Sequence, residues 1–453
     1  MKPRRLSDVA RAVDGLFLGE DVEVTSLATD SREVVAGGLF VAIPGTRVDG
    51  HRFVPEAFDR GAAGCLVRDG FRAEGPAVCV RSTTEALLRL AEDERSKIDA
   101  TVVAITGANG KTSTKDFAAA VCSSTLRTHA SPESFNNELG LPLTLLGSPP
   151  DVQVIVAEMG ARRPGDVARL CEVARPNVAV VTNVGVAHME VFGSWEAIVE
   201  ASAEPVDSLR DDGVAVLNAD DPIVASFAER CRAKVITFGL HAAAQVRAEL
   251  VAVDREGRAS LDVVHELDRA RVRLPIPGDH MVPNALAAVA VGLEVGVPFD
   301  TAVAALADAP MSRWRMEAFV NPDGIRVVND AYNANPESVE AALRTARWMA
   351  GEGRLVAVLG PMAELGDLSH EAHERIGELA ARLRVDRLVT VGEGSRAIAL
   401  AGLREGVEPD RVASYPDVEH AIADVRSFAR AGDVVLCKAS RVARLERVAE
   451  ALR

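Results

Sequence analysis

The sequence predicts an α/β protein built from three domains, and three observations carry that prediction. From residue 99 to about 310, the apolar runs Val102–Ile105, Val152–Ala157, Val178–Thr182, Val214–Leu217 and Val235–Phe238 alternate with helical segments. Continuous β-branched runs of this kind form parallel strands that helices bury on both faces. The first run leads into Thr106-Gly107-Ala108-Asn109-Gly110-Lys111-Thr112-Ser113, followed by a helix predicted from Thr114 to Ser124. After Pro310 the alternation restarts with Ile325–Asn329, Leu355–Leu359, Arg387–Val391 and Val434–Cys437, separated by helices near 336–350, 370–384 and 417–429. The central block therefore reads as a parallel-sheet, P-loop ATPase-like domain, and the last as a Rossmann-like doubly wound domain.

The remaining elements complete the order. Residues 1–98 mix short strands, such as Gly37–Ile43 and Cys65–Val67, with polar turns and a helix near 54–60, which reads as a small α/β domain. A helix over Thr84–Ser96 leads to the phosphate-loop strand and sets a boundary at 98. Near Ala244–Arg273 strict alternation predicts antiparallel hairpin strands. Pro283-Asn284-Ala285 opens an alanine-rich helix, and another covers Asp300–Asp308. The predicted domains are 1–98, 99–310 and 311–453.

Bulk properties narrow the function. A chain of 453 residues with 48% hydrophobic and 26% charged residues is a multidomain globular protein. Its net charge of −15 argues against general nucleic-acid binding, while leaving room for local basic pockets. The six cysteines are scattered, without a C-x-x-C pair, so buried thiols are expected rather than disulfides or zinc ligands. Asp8, Arg11 and Asp14 interrupt any apolar signal-peptide core, and no run has the length of a membrane span, so a cytoplasmic protein is expected.

The chemistry concentrates around Lys111. Gly107 and Gly110 bracket Asn109, and the N–H groups of such a turn and of the following helix converge on an anion. Lys111 adds a mobile positive charge, and the Thr112 hydroxyl suits Mg²⁺. The spacing is shorter than G-x-x-x-x-G-K-[ST], because Ile105 stands where the first glycine would be. Glu158 ends a strand, where a buried carboxylate needs a metal or a basic partner. Asn136 and Asn137 precede a turn, and His188 follows the strand end at Thr182-Asn183. Taken singly, Glu158 and His188 are read more readily as hydrogen-bonded structural residues. With Thr112 on one sheet, they make the pattern of a Mg²⁺-nucleotide site.

The order T-G-x-N-G-K-T, F-N-N-x-x-G-x-P-x-T, E-M-G, T-N-V-x-x-x-H and L-N-x-D-D-P resembles the Mur ligase family, which forms amide bonds on nucleotide-linked muramyl peptides using ATP. Gly278–Asn284, Ser312–Glu317 and Lys438–Arg441 extend the resemblance over essentially the whole chain. Within the family, Asn329–Pro336 and Leu359–Gly366 look like the members that add D-alanyl-D-alanine. The resemblance implies UDP-N-acetylmuramoyl-tripeptide and D-alanyl-D-alanine as partners, ATP and Mg²⁺ as cofactors, and a monomer in cytoplasmic peptidoglycan precursor synthesis. It implies that Gly107, Ala108, Asn109, Gly110, Lys111, Thr112, Ser113, Asn284, Arg315 and Asp330 bind ATP. Thr112, Glu158 and His188 would hold metal, with Lys111, Glu158 and His188 catalytic. Thr29, Asp30, Ser31, Arg32, Gly45, Thr46, Asp49 and His51 resemble a uridine-diphosphate pocket, and Asn136, Asn137, Tyr332, Asn333 and Asn335 are carried over as further substrate contacts.

Three departures from the family pattern are Pro361 in place of an aspartate, Met281 in place of an asparagine, and Ser202. The helix carrying Ser202 holds in relatives a lysine that is carbamylated and bridges Mg²⁺. Here Glu204, or less directly Glu200, is expected to substitute through a bridging water. The competing readings are another amide ligase of the family and a catalytically impaired nucleotide-binding regulator of wall synthesis.

Overall fold

The computed structural model describes residues 1–45, 48–186 and 189–453. Among these residues the strands form four sheets. A five-stranded sheet in the first part of the chain runs Leu16–Leu18, Ala77–Val80, Gly64–Arg68, Gly38–Val41, Ser26–Ala28, and is parallel except at its Leu16–Leu18 edge. A two-stranded antiparallel pair, Arg4–Arg5 with Glu23–Val24, closes the N-terminus against it.

The central sheet has nine strands. Thr128–Ala130, Val154–Glu158, Thr101–Thr106, Val178–Val181, Val214–Asn218 and Lys234–Gly239 are parallel neighbours in that order. The alternating segment supplies Val246–Val253, Arg258–His265 and Asp268–Pro277, antiparallel to one another and joined to the same sheet by a parallel pairing of Val246–Val253 with Lys234–Gly239. One face packs on the helices Lys111–Ser123 and Val282–Glu294, through side chains such as Phe117, Val121, Leu286 and Val289. The other face packs through Val102 and Ile155, with Leu170 of the helix Asp166–Ala174, into a core shared with Leu6, Leu66, Leu87 and Leu90 of the first part of the chain. The helix Thr83–Arg95 lies between the two sheets in that core.

The last sheet runs Glu317–Val320, Arg326–Asn329, Val434–Lys438, Leu355–Leu359, Arg387–Val391, Val412–Tyr415, with only the Glu317–Val320 pairing antiparallel. The molecule is therefore a three-domain α/β protein whose central sheet is mainly parallel.

One sequence expectation is corrected at the loop. The helix begins at Lys111, not Thr114. Gly110 at φ 82° turns the chain in one residue, so Lys111-Thr112-Ser113 forms the first helical turn. Among the described residues, no helix is long and apolar enough to cross a membrane.

Candidate active site

From the strand Thr101–Thr106, the chain fills two strand positions on one side and then returns to the other at Val178–Val181. That reversal makes a crevice at the carboxyl ends of the two strands, where open α/β sheets place ligands. The loop 107–110 and the segment after Val181 close on each other there. Ala108 N donates to Asn183 O at 3.0 Å and Asn109 N to Asn183 Oδ1 at 2.8 Å. Thr182 Oγ1 and Asn183 Nδ2 both donate to Asn109 O, at 2.6 and 3.1 Å. A Cβ on Gly107 would lie 2.1 Å from Thr182 Oγ1, and one on Gly110 would lie 2.3 Å from Asn284 Oδ1. Both glycines also have positive φ, so conformation and close packing require them.

The first intrahelical bond runs from Thr114 N to Gly110 O at 2.8 Å, so the N–H groups of Lys111, Thr112 and Ser113 face the crevice end without an intrahelical acceptor. Lys111 Nζ folds back on the loop, donating to Gly107 O at 2.6 Å and Ala108 O at 3.2 Å. Burial pushes the Lys111 ammonium below its ordinary pKa, and Glu158 opposes that shift. Glu158 is 1% exposed. Its Oε1 accepts from Asn136 Nδ2 at 2.8 Å, while Oε2 is buried with no partner among the described residues. A buried carboxylate oxygen left in that state is suited to a cation. Thr112 Oγ1 lies 3.1 Å from Ser134 Oγ, and Arg315 Nη2 donates to both hydroxyls, at 3.0 and 3.2 Å.

Arg315 comes from the linker into the last sheet and stacks over the Tyr332 ring, with 4.2 Å from its central carbon to the ring centroid. Its Nε is buried without a partner among the described residues. From the same side Asn335 Nδ2 donates to Asn109 Oδ1 at 2.8 Å, so the third part of the chain touches the phosphate loop directly. Asn335 also caps the helix Pro336–Ala350. Asp330 pairs with the buried Lys438, whose Nζ also donates to Asn333 O at 3.0 Å. Burial pushes the Lys438 ammonium and the His280 imidazole below their ordinary pKa values, while Asp330 opposes both shifts. His280 Nδ1 is a further buried nitrogen without a partner among the described residues. A basic, partly unsatisfied recess thus lies between the central and last sheets.

Comparison with known proteins agrees with this geometry. The model of the Mur ligase family catalytic domain matches residues 23–95, the Mur ligase middle domain 105–292, and the Mur ligase glutamate ligase domain 314–441. A UDP-N-acetylmuramoyl-tripeptide–D-alanyl-D-alanine ligase of Mycobacterium tuberculosis is 40% identical over 466 aligned positions, covering 93% of this chain and 91% of its own. The chain belongs to the Mur ligase family. The ligase of the same name from Bacillus subtilis is 34% identical, covering 100% of this chain and 99% of its own. Among solved structures, MurF from Acinetobacter baumannii superposes with a TM-score of 0.89 at 28% identity, over 100% of this chain and 99% of its own. MurF ligase from Thermotoga maritima, in complex with ADP, gives 0.81 at 29% identity, over 94% and 96% of the two chains.

The other sequence-derived positions of this Mur ligase fall into distinct settings. Asp30 caps the turn Ser31–Glu33, accepting from Arg32 N at 2.9 Å, and pairs with the Arg32 guanidinium, which holds its carboxyl at about 2. Ser31 is buried beside it, and Thr29 is partly buried. Asp49 caps the turn Gly50–Phe53, and His51 is buried with both ring nitrogens engaged. Its Nδ1 donates to Asp49 Oδ1 at 2.6 Å, and its Nε2 accepts from Arg68 N at 2.9 Å, which fixes the tautomer. Gly45 accompanies this turn through a bond from its N to Val48 O at 3.1 Å. Asn137 Oδ1 caps the helix Gly140–Gly147 through Leu139 N and Gly140 N, at 3.1 and 2.9 Å. Thr46 and His188 lie outside the described residues.

The expectation for Glu204 and Glu200 is overturned. Glu204 accepts from Gly165 N at 2.6 Å and Ala168 N at 2.8 Å, capping the helix Asp166–Ala174. Glu200 is taken by Arg230, and Ser202 Oγ bonds its own helix at Ile198 O, 2.7 Å away. A carboxylate holding two helix N–H groups is spent there and replaces no metal ligand. Ser134 and Asn183 are site residues that sequence reasoning did not single out. Asn183 lies inside the T-N-V-x-x-x-H motif, at a strand end, and Ser134 directly precedes the F-N-N motif, so proximity to those motifs was the available signal.

Proposed function

We infer that this Mur ligase joins D-alanyl-D-alanine to UDP-N-acetylmuramoyl-tripeptide, using ATP, in peptidoglycan precursor synthesis. The observation that carries the reading is the full-length likeness, at 34–40% identity, to ligases bearing that name. The recess around Lys111 supplies the chemistry it needs. We assign the first part of the chain, 1–98, to the UDP-muramyl end, 99–310 to ATP, and 311–453 to the D-alanyl-D-alanine side. We also place the enzyme in the cytoplasm as a monomer.

A carboxylate is a poor acyl donor because oxide would have to leave. The tripeptide carboxylate therefore attacks the γ-phosphorus of ATP, and ADP departs, leaving an acyl phosphate. The amine of D-alanyl-D-alanine then adds to the acyl carbon. The tetrahedral intermediate collapses with loss of inorganic phosphate, and the nitrogen releases its proton. Catalysis of such transfers is mostly positioning and charge neutralisation. Lys111 exchanges the Gly107 and Ala108 carbonyls for phosphate oxygens, and the N–H groups of 111–113 hold the same phosphates. Arg315 meets the phosphates from the opposite side, while Asn284, Asp330 and the Asn109–Asn335 contact place the nucleotide between the two sheets. Thr112 and Glu158, with His188, would hold Mg²⁺, which when bound neutralises charge on the phosphates. Asn136 keeps Glu158 in place by its bond to Oε1.

The test is product analysis. Incubation with UDP-N-acetylmuramoyl-tripeptide, ATP and D-alanyl-D-alanine should yield one amide product by mass spectrometry, with one phosphate released per product. Turnover of a single amino acid in place of the dipeptide, with none of the dipeptide, would overturn the reading.

A further inference from the structure

A buried ion pair lies one helical turn beyond Thr112, and the mechanism above makes no use of it. Lys115 and Asp116 are both buried, with Nζ 2.9 Å from Oδ1. Asp116 reaches across to the linker that enters the last sheet. Its Oδ2 accepts from Ser312 N at 2.7 Å and its Oδ1 from Ser312 Oγ at 3.0 Å. Residues four apart share a helix face. The linker thus crosses the phosphate-loop helix along one line, touching Asp116 through Ser312 and Thr112 through Arg315. The linker is wound tightly here, with Trp314 at φ 60° between the two contacts and Met316 at φ 52° just after them. Met316 N is held by Asp330 Oδ1 at 3.1 Å. On its other side Lys115 Nζ donates to Ser131 O at 3.0 Å, and Ser131 Oγ accepts from Glu158 N at 3.2 Å. A continuous chain of polar contacts therefore joins the linker to the backbone of Glu158.

A buried ion pair stabilises a fold little more than an apolar pair of the same volume. What this pair supplies is a fixed crossing point. We propose that Asp116 is a positioning residue: through Ser312 it fixes where the linker crosses the phosphate-loop helix, and so places Arg315 and the last domain over the acyl group. The proposal rests on the ligase reading above. Its consequence lies in the second half-reaction. When the last domain is loosely placed, water competes with the amine. Water adds to the acyl carbon, the carbon–oxygen bond to phosphate breaks, and tripeptide carboxylate, inorganic phosphate and a proton are released without an amide.

The experiment measures phosphate and amide product side by side in the full-length enzyme, with melting temperature recorded for every variant. Asp116→Asn keeps the shape and removes the charge. It should lower amide formation about tenfold and raise the phosphate-to-amide ratio clearly above that of the parent, since small misplacements cost rate steeply. Ser312→Ala leaves the Lys115–Asp116 pair intact and should shift the ratio the same way by less, which also covers the case in which Asp116→Asn does not fold. Ser312→Thr retains both donors and should return the ratio to that of the parent. An unchanged ratio in Asp116→Asn and Ser312→Ala, even with a lower rate, overturns the proposal, because a merely structural role slows both products equally. A parent enzyme that makes no amide would instead overturn the ligase reading, and this inference with it.

Discussion

Two polar clusters of this molecule look alike as strings of residues and differ as structures. The recess around Lys111 leaves Glu158 Oε2, Arg315 Nε and His280 Nδ1 buried without partners among the described residues. In the first domain, the turn residues satisfy each other. Asp30 is held by Arg32, Asp49 by the backbone and ring of His51, and His51 by Arg68 N. Burying a polar atom without a partner is costly, so the first arrangement gains from any ligand that supplies the missing partners. The second is complete in itself. A ligand there would meet turns already capped by their own side chains, rather than a set of unpaired ones. Hydrogen-bond saturation, more than polarity, distinguishes these two clusters.

That contrast can be broken or sharpened by substitution. Lys111→Ala should lower kcat by about a thousandfold, as the loss of a principal charge on a transferred phosphoryl group does, with an unchanged melting temperature. Steady-state phosphate release and calorimetry measure both, and near-normal turnover would remove Lys111 from the chemistry. His51→Ala should act in the opposite way. It strands the Arg68 N–H and removes a buried ring, which costs about 1–3 kcal/mol of stability. Denaturant unfolding should show that loss while kcat at saturating substrate stays within about twofold of the parent, as for a residue remote from the reacting atoms. A raised KM for the UDP-linked substrate with unchanged stability would mean that the ring is itself a ligand contact. The smallest effect belongs to Glu204→Gln. It weakens a cap on the helix Asp166–Ala174 and should cost about 1 kcal/mol or less, with activity and Mg²⁺ dependence unchanged. A raised Mg²⁺ requirement would restore the metal role that the structure takes away.

Much of the fold was legible because parallel strands buried on both faces write continuous apolar runs. Val102–Ile105 and Leu355–Leu359 needed no tertiary information, and neither did the glycines that bend the loop. Elements with short or mixed patterns were not legible. The strand Thr128–Ala130 is three residues long and partly exposed, too brief for any period to register. The start of the helix at Lys111 was hidden because Thr112 and Ser113 are as natural in a loop as in a first turn. At the site, the residues next to strand ends announced themselves, whereas the partners that decide their state did not. Glu204 caps Gly165, 39 positions away, and Asp116 holds Ser312, 196 positions away, and no local pattern records either contact.

The helix Thr83–Arg95 carries a last consequence. It is embedded in one core with both the first sheet and the central sheet, and ion pairs from Arg169 to Glu85 and from Arg175 to Glu92 rivet its outer side to the helix Asp166–Ala174. Arg95 Nε adds a bond to Ala174 O at 2.7 Å. The first domain is therefore not a detachable module. Cut away near residue 98, it would carry an uncovered greasy flank into water, and the truncated remainder would carry the matching one. Gene fragments severed at that point should give sticky, insoluble products.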